Sequence, residues 1–388
     1  MKKITYSRQS IGRDEIRAVT RVLQSDWLTQ GETVKEFEAC VAEYCGADYA
    51  VAVANGTAAL HLACLAAKLT EKLPDSSRGI TSPLSFVASA NGMLYNGITP
   101  DFCDVDPISG NLDPALLPSV IRDSTRLIVP VDYSGLPADL DPIMKLAHTR
   151  SAMVIEDASH ALGAEYHGRK IGSIADMTIF SFHPVKIITT GEGGMILTSR
   201  RDIYELLLQL RSHGNVKPPG KLRFKPDGPW YYEMQSLGFN YRLTDIQCAL
   251  GLAQMKRIGY FLQRRREIAS VYCDQLAGIE EINLPPSPAD RISSYHLFPI
   301  RIDFNRLGLS RSELFRFMLE RDIQLQVHYI PIPAHPYYRD LGHSDHLYPN
   351  AARYYRHQVS LPVYPDLTPA QQKRVITTLK KFMNLKKK

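Results

Sequence analysis

Two short apolar runs, each followed closely by an ionisable side chain, constrain the fold of this chain more than any other feature. Residues 153–155 lead into Asp157, and residues 177–182 are followed by Lys186. Runs of this length between helical patterns are typical of buried strands in a parallel sheet. Strand and helix patterns alternate from residue 49 onwards, which predicts βαβ units and an α/β fold. Because open α/β sheets bind ligands at the carboxyl ends of their strands, we expect Asp157 and Lys186 to share one sheet edge.

Composition narrows the class of protein without fixing its function. The 388 residues suffice for two domains, and 44% apolar with 22% charged residues are typical of a soluble globular protein. The 46 Lys and Arg against 40 Asp and Glu include no basic stripe with interleaved aromatics, so we expect no nucleic-acid partner. The six cysteines form no C-x-x-C pair, so we expect neither a metal site nor disulfides. With no apolar run of signal-peptide or membrane-spanning length, the sequence predicts a cytoplasmic protein without membrane contact.

Lys186, Asp157 and His160 together indicate pyridoxal phosphate. A lysine past the end of a buried strand can be partly desolvated, which lowers its pKa and makes its amine a nucleophile. The cofactor needs such a lysine, and a carboxylate that keeps its pyridine nitrogen protonated. Each residue has a simpler alternative: a surface lysine whose stem covers the strand, a helix cap for Asp157 and a buried imidazole for His160. Their occurrence on successive strands favours the cofactor.

The strand predicted at Tyr49–Val53 ends in the turn Asn55-Gly56-Thr57, which opens a helix. A helix N-terminus binds anions through its free N–H groups, so this turn is a candidate phosphate site, with a plain helix N-cap as the alternative. The turn lacks a G-x-G-x-x-G pattern, which disfavours a dinucleotide. Phe86, at the head of a later helix, is a candidate cover for the cofactor ring, with core packing as the alternative.

The C-terminal third is predicted to be an α+β layer of its own. We expect a large domain of residues 1–260 and a small domain of residues 261–388. In the small domain the patterns predict a strand at 295–302, a helix at 311–321, a strand at 323–327 and a final helix at 369–383.

Two further segments carry expectations of their own. Residues 13–24 place Ile16, Val19, Val22 and Leu23 on one helical face, which is typical of a face packed on the core. Residues 212–238 form a long irregular stretch, which in a compact domain is usually functional or part of an interface.

Several motifs occur in an order that resembles a known family. They are Asn55-Gly56-Thr57, EDASH at 156–160, Ser181-Phe182-His183 with Lys186, GEGG at 191–194 and GFNYR at 238–242. With them the whole chain resembles the DegT/DnrJ/EryC1 family of nucleotide-sugar aminotransferases, which are fold-type I pyridoxal-phosphate enzymes. The resemblance implies pyridoxal 5'-phosphate as cofactor, a large domain with a mainly parallel sheet, and a small C-terminal α+β domain.

The resemblance also implies a role for each cofactor-binding residue. Lys186 would bond covalently to the cofactor and move the proton during amino transfer. Asp157 would pair with the pyridinium nitrogen, Phe86 would stack on the ring, and His160 would meet the phenolic oxygen. Many relatives carry glutamine where His160 stands, so a different group makes that contact here. The residues implied to hold the phosphate are Gly56, Thr57 and Ser181.

A homodimer with shared active sites follows from the same resemblance. Asn240 would reach the phosphate or the substrate of the neighbouring subunit, so two chains would form the smallest active unit. The residues implied to bind substrate are Tyr6, Asp26, Trp27, Leu28, Thr29, Asn55, Ser181, Asn240, Gln326, Val327, His328 and Tyr329.

A narrower resemblance, to the pseudaminic acid branch of the family, is carried by Tyr6-Ser7 and by residues 27–31, 131–135, 159–163 with 165–166, and 326–329. It implies L-glutamate as amino donor and C4 of a UDP-linked 4-keto-6-deoxy-N-acetylhexosamine as acceptor. Residues 215–236 form a longer loop than this branch leads us to expect.

Alternative functions stay open at this point. Another keto nucleotide sugar or a keto-inositol would need the same cofactor and a different acceptor pocket. Family dehydratases carry histidine in place of the lysine, so Lys186 disfavours them. An NAD-dependent oxidoreductase is disfavoured by the missing glycine fingerprint. A cofactor-binding regulator without catalysis is compatible with the motifs.

Overall fold

The computed structural model describes residues 3–385 of the chain. Strands and helices alternate through the first two thirds, and short strands mix with helices in the C-terminal part. The strands are β1 Tyr49–Val53, β2 Arg78–Thr81, β3 Thr99–Phe102, β4 Thr125–Val129, β5 Met153–Asp157, β6 Glu165–Tyr166, β7 Arg169–Lys170, β8 Met177–Ser181, β9 Gly194–Thr198, β10 Asn215–Val216, β11 Glu233–Met234, β12 Ile282–Asn283, β13 Arg291–Ile292, β14 Phe298–Ile302 and β15 Gln358–Leu361. The helices are α1 Arg13–Leu23, α2 Glu32–Cys45, α3 Gly56–Thr70, α4 Ala88–Leu94, α5 Leu117–Val120, α6 Leu140–Thr149, α7 Arg201–Leu210, α8 Asp245–Met255, α9 Ile258–Leu276, α10 Phe304–Leu307, α11 Arg311–Leu319, α12 Pro336–Asp340, α13 Pro349–His357 and α14 Pro369–Met383.

A seven-stranded sheet in the order β1-β9-β8-β5-β4-β2-β3 forms the centre. β3, β2, β4, β5 and β8 run parallel, while β9 runs antiparallel to both β8 and β1. The predicted α/β fold with a mainly parallel sheet is therefore confirmed. Asp157, the last residue of β5, pairs with Ile179 of β8. The sheet thus brings Asp157 and the segment that follows β8 to the same edge.

Helices cover both faces of this sheet. Val154 and Phe180 pack with Phe37 of α2 on one face, in one continuous core. Ile155 and Ile179, on the same two strands, pack on the opposite face in a second core with α3. This alternation follows from the period of two along a strand, and it explains why both strands are apolar throughout.

The C-terminal part has its own core around the sheet β12-β14-β15. Ile268 of α9, Phe298 of β14 and Leu379 of α14 are buried together there. The final helix has the bounds that the sequence predicts. The division at residue 260 falls inside α9 and stays a prediction.

The strand predicted at residues 323–327 is wrong. Only two isolated bridges form there, Ile323 with Ile4 and Gln326 with Ser360. The segment changes its partner from the N-terminus to β15 within three residues, so no continuous ladder develops. β15 itself was not predicted, because its sequence has no clear alternation.

The strand predicted at residues 295–302 begins later, at Phe298. Tyr295 has a φ of 48°, which lies in the left-handed region and is incompatible with an extended strand. The residues before Phe298 serve instead as a connection to the large sheet.

That connection joins the C-terminal part to the edge of the large sheet. Ser294 N–H donates to the carbonyl of Gly135 at 2.9 Å, and Leu297 N–H donates to the carbonyl of Ser134 at 3.1 Å. The Ser294 hydroxyl donates to the carbonyl of His160 at 2.7 Å. A Cβ on Gly135 would lie 2.1 Å from Ser294 Oγ, and its φ is 99°, so glycine is required for this approach.

The apolar face predicted for α1 is not buried. Of its four members only Val22 lies in the core, while Ile16 is 60% and Leu23 56% exposed. A polar contact docks this helix instead: the buried carboxylate of Glu15 accepts from Arg257 Nη1 and from Gln254 Nε2, both at 2.8 Å. Polar partners at the end of α8 and in the turn after it, which local periodicity does not reveal, decide the orientation of α1.

The long segment at residues 212–238 is held together by the short pair β10–β11 and by the carboxylate of Glu233. That carboxylate accepts from the N–H of Arg223 at 2.8 Å and of Phe224 at 2.7 Å.

Within residues 3–385, helices long and apolar enough to cross a membrane are absent.

Candidate active site

A pocket of about 740 Å³ opens at the carboxyl ends of β5 and β8. It brings together residues from the turn after β1, α3, β5, β8, the N-terminal segment and the C-terminal part. The sequence-predicted residues that line it are Tyr6, Asn55, Gly56, Thr57, Phe86, Asp157, His160, Ser181, Lys186, Gln326, Val327, His328 and Tyr329.

Five predicted residues do not line this pocket of the single chain: Asp26, Trp27, Leu28, Thr29 and Asn240. Trp27 is 65% exposed. Thr29 forms a bridge with Thr244, and Asn240 is exposed and forms a bridge with Ser212. Their roles in substrate or cofactor binding stay predictions.

Asp157 is buried at the end of β5 and is surrounded by hydrogen-bond donors. Its Oδ1 accepts from the Ser159 hydroxyl at 2.6 Å and from the Ser159 N–H at 3.2 Å. Its Oδ2 accepts from the Ser89 hydroxyl at 2.6 Å. Ser89 in turn shares a hydrogen bond of 2.7 Å with Ser85. These contacts fix the carboxylate so that it faces the pocket as a rigid negative group.

Lys186 follows β8 and reaches into the same pocket. Burial of its amine lowers the pKa of Lys186 to about 8, while the attraction of Asp157 acts in the opposite direction. Burial disfavours the charged form of an amine, so Lys186 is a neutral nucleophile near neutral pH far more often than an exposed lysine is.

The turn after β1 forms an anion cradle. Asn55 caps α3, because its Oδ1 accepts from Ala58 N–H at 2.8 Å. The N–H groups of Gly56 and Thr57 belong to the first turn of a 15-residue helix and have no intrahelical partner. A Cβ on Gly56 would lie 3.0 Å from the Cβ of Ser181. Glycine therefore lets the helix N-terminus approach the Ser181 hydroxyl, and the three groups fit a phosphate.

Imidazole and phenol groups form the opposite wall. His160 Nε2 and the Tyr329 hydroxyl share a hydrogen bond of 3.0 Å. His328 Nδ1 and the Ser360 hydroxyl are 2.9 Å apart. Burial, reinforced by the charge of Lys186, holds the pKa of His160 well below its usual range and lowers the pKa of His328 to about 3. This wall therefore offers hydrogen bonds without adding positive charge.

His296 belongs to this wall and was missed by sequence reasoning. It is buried and lines the pocket, and its ring lies 4.5 Å from the ring of His160. Its Nδ1 has no hydrogen-bond partner within residues 3–385. Burial and the neighbouring charges hold its pKa well below the usual range. No motif surrounds His296 in the sequence, so only the fold reveals it.

The geometry and the sequence now lead to one family. Residues 9–380 match the model of the DegT/DnrJ/EryC1/StrS aminotransferase family. The chain belongs to this family. A DegT/DnrJ/EryC1/StrS aminotransferase uses pyridoxal 5'-phosphate, and the lysine, the buried carboxylate and the anion cradle of this pocket fit that cofactor.

Individual relatives agree with this assignment. The UDP-4-amino-4,6-dideoxy-N-acetyl-beta-L-altrosamine transaminase of Campylobacter jejuni is 37% identical over 388 residues, which is 99% of each chain. The solved structure of Helicobacter pylori PseC, an aminotransferase involved in the biosynthesis of pseudoaminic acid, has a TM-score of 0.92 and 32% identity, covering 99% of this chain and 100% of that one. Spr1654 of Streptococcus pneumoniae, described as a sugar aminotransferase, has a TM-score of 0.90 in its PLP form, with 28% identity over 98% of this chain and 99% of that one.

The chain is therefore a sugar aminotransferase of fold type I that depends on pyridoxal phosphate. The predicted family, fold class, cofactor and enzyme class are confirmed. The individual roles of the site residues stay predictions.

Proposed function

We propose that this sugar aminotransferase moves an amino group from L-glutamate to C4 of a UDP-linked 4-keto-6-deoxy-N-acetylhexosamine. The product would be UDP-4-amino-4,6-dideoxy-N-acetyl-β-L-altrosamine, on the route to pseudaminic acid. The observation that carries the proposal is the similarity to the Campylobacter jejuni transaminase, 37% over 99% of both chains. The likeness to PseC, with a TM-score of 0.92, supports the same acceptor class.

Each of the pocket side chains would have a separate role in amino transfer. Pyridoxal phosphate, when bound, supplies an electron sink for the carbon that loses its proton. Asp157 would bind the pyridine nitrogen, while Gly56, Thr57 and Ser181 would bind the phosphate. Lys186 Nζ, whose pKa is lowered to about 8, would accept and return the proton at the reacting carbon. The neutral ring of His160 would donate or accept a hydrogen bond at the phenolic oxygen without competing for that proton.

The charges in the pocket support a homodimer with shared active sites. Lys186 is the only Lys or Arg that lines the pocket within the described residues, and it serves the cofactor. A UDP-sugar carries a diphosphate, which proteins bind with cationic side chains. We propose that a second copy completes the site. Asn240 and residues 26–29, which are exposed or lie outside the pocket here, would add further contacts, and a Lys or Arg of that copy would bind the diphosphate, because none of these five residues is cationic. Because UDP-sugars and glutamate are cytoplasmic metabolites, we also propose a cytoplasmic location.

The acceptor is tested with purified enzyme, L-glutamate and a panel of UDP-linked keto sugars. We expect the 4-keto-6-deoxy-N-acetylhexosamine to be consumed, and NMR of the product to show the new amine at C4. K186A, which lacks the nucleophile, is the matched control and should give no product. Faster conversion of a 3-keto sugar, of another 4-keto sugar or of a keto-inositol would contradict the proposed acceptor while leaving the family assignment intact.

A further inference from the structure

Helix α9 carries a buried cation that has no anionic partner. Arg265 is 1% exposed and lies in the middle of the helix. Within residues 3–385, no Asp or Glu forms an ion pair with it, and its Nε lacks a hydrogen-bond partner. Burial lowers the pKa of Arg265 to about 10, so the guanidinium stays charged at neutral pH. A buried unpaired charge costs free energy, and an apolar side chain of similar size would be the cheaper way to fill this space.

The acceptors around Arg265 are main-chain carbonyls of segments that build the active site. Its Nη1 donates to the carbonyls of Tyr295 at 3.2 Å, His296 at 3.2 Å and Val363 at 3.1 Å. Its Nη2 donates to the carbonyl of Lys186 at 3.5 Å. One side chain therefore contacts the backbone of the nucleophilic lysine and of the imidazole behind His160.

The contact with Val363 extends this arrangement to a third pocket residue. Val363 N–H donates to the carbonyl of Tyr6 at 3.1 Å, and Tyr6 lines the pocket. Lys186, His296 and Tyr6 come from three distant parts of the chain. The Arg265 guanidinium links all three segments: it contacts the backbone of Lys186 and His296 directly, and that of Tyr6 through Val363.

We propose that Arg265 is a positioning residue for amino transfer, which fixes the backbone of Lys186 and His296 so that their side chains meet in the pocket. Only a planar guanidinium can serve these carbonyls at once, because a lysine ammonium is a single point charge on a flexible stem. Its charge also disfavours protonation of His296, which keeps that ring neutral beside Lys186. A displacement of the reacting amine by about 1 Å is enough to slow an enzyme about 100-fold.

The test compares R265K with R266K. Arg266, the next residue, also donates to carbonyls, those of Ser293 at 3.3 Å and Gly163 at 3.2 Å, but neither carbonyl belongs to a pocket residue. Urea unfolding and circular dichroism first establish that both variants fold. We expect R265K to lower kcat with L-glutamate by about 10-fold or more, with KM changed by less than about 3-fold. R266K should stay within about 2-fold of wild type in both constants.

A second readout does not depend on turnover. In protein freed of cofactor, Lys186 is labelled with an amine-reactive reagent and followed by mass spectrometry. We expect the rate at Lys186 to change by about 3-fold or more in R265K and to stay unchanged in R266K, because only the first alters the position of the amine. R265Q repeats both measurements if R265K does not fold. Wild-type values in a folded Arg265 variant would overturn the proposal, and so would failure of both variants to fold, since Arg265 would then serve stability alone.

Discussion

Lys186 combines a buried amine with a nearby carboxylate, and its protonation gives a direct test of the site. Burial lowers the pKa of Lys186 to about 8, whereas an ordinary lysine has a pKa of about 10.4. In protein freed of cofactor, labelling of Lys186 should therefore rise through a midpoint near pH 8, because only the neutral amine reacts. Peptide mass spectrometry at a series of pH values gives the midpoint, with the exposed lysines of the same sample as internal controls. A midpoint near that of the exposed lysines would mean that the amine is not desolvated.

Gly56 is the second residue whose environment makes a sharp prediction. A Cβ at this position would lie 3.0 Å from Ser181 Cβ and 3.2 Å from Ser181 Oγ. G56A should therefore push Ser181 away from the anion cradle and weaken cofactor binding by about 10-fold or more, since a lost phosphate contact is worth about 1.5–3 kcal/mol. Titration of cofactor into the apoprotein, followed by absorbance, measures the loss. G220A is the matched control, because a Cβ on Gly220 meets nothing within 4 Å; equal affinities of the two variants would contradict the cradle.

Residues differ in how much of their role the sequence reveals. Asp157 and Lys186 were recognisable because each follows an apolar strand, and strand ends in α/β sheets face ligands. Arg265 gave no signal, because it stands between two other arginines in a helix and arginine side chains are mostly exposed. Its burial depends on carbonyls from distant segments, which local sequence does not encode.

At the scale of elements, two buried carboxyl groups link the ends of β4 and β5. Asp132 Oδ1 accepts from Ala138 N–H at 2.8 Å, and Glu156 Oε2 accepts from the Thr178 hydroxyl at 2.8 Å. The other two oxygens, Asp132 Oδ2 and Glu156 Oε1, are buried and have no hydrogen-bond partner within residues 3–385. Burial is the main reason that the pKa of each is raised. The pair therefore keeps a proton in the folded protein under conditions where exposed carboxyls would be ionised.

This pair predicts how stability changes with pH. A raised pKa means that the folded state keeps a proton which the unfolded state loses above the ordinary range of a glutamate, about pH 4–5. Wild-type stability should therefore fall as the pH rises from 5 to 8. E156Q removes the titration of one of the two carboxyls, so its free energy of unfolding relative to wild type should improve by about 1–3 kcal/mol over that range.

Urea unfolding of both proteins at pH 5 and pH 8 measures the difference. E43Q, an exposed substitution on α2, controls for the loss of one carboxyl group. Parallel pH profiles of E156Q and wild type would show that the pair holds no extra proton.

The spacing of apolar residues was sufficient to predict the elements whose own sequence determines their structure. β1, β5, β8 and α14 were predicted because their apolar spacing matches a buried strand or an amphipathic helix. Two-residue strands such as β6 and β13 were not predictable. They pair with each other across more than 120 residues of chain, and so short a segment carries no periodicity of its own.

For the whole molecule, the proposed sharing of active sites gives a complementation test. K186A and N240A should each be inactive or nearly so, the first without a nucleophile and the second without its contribution to the neighbouring site. In a mixed dimer one site contains both lesions and the other contains neither. After dissociation and equal mixing, about a quarter of the wild-type activity should return, because half of the dimers are mixed and each has one intact site.

K186A mixed with further K186A is the control, and it should recover nothing. Chromatography with light scattering verifies that the mixed sample is dimeric. No recovery in a dimeric mixture would show that Asn240 serves its own chain. A monomeric, fully active wild-type enzyme would contradict shared sites altogether.

Three hydrogen bonds behind the active site affect how ligands enter. They join Ser294 and Leu297 to Ser134, Gly135 and His160. In many two-domain enzymes the domains rotate apart to admit the substrates. Here such an opening would break these hydrogen bonds, which lie directly behind the reactive centre. It would also separate the segments that Gly135 allows to approach closely. We therefore expect this wall of the pocket to keep its shape, and substrates to enter through movements at the opposite rim.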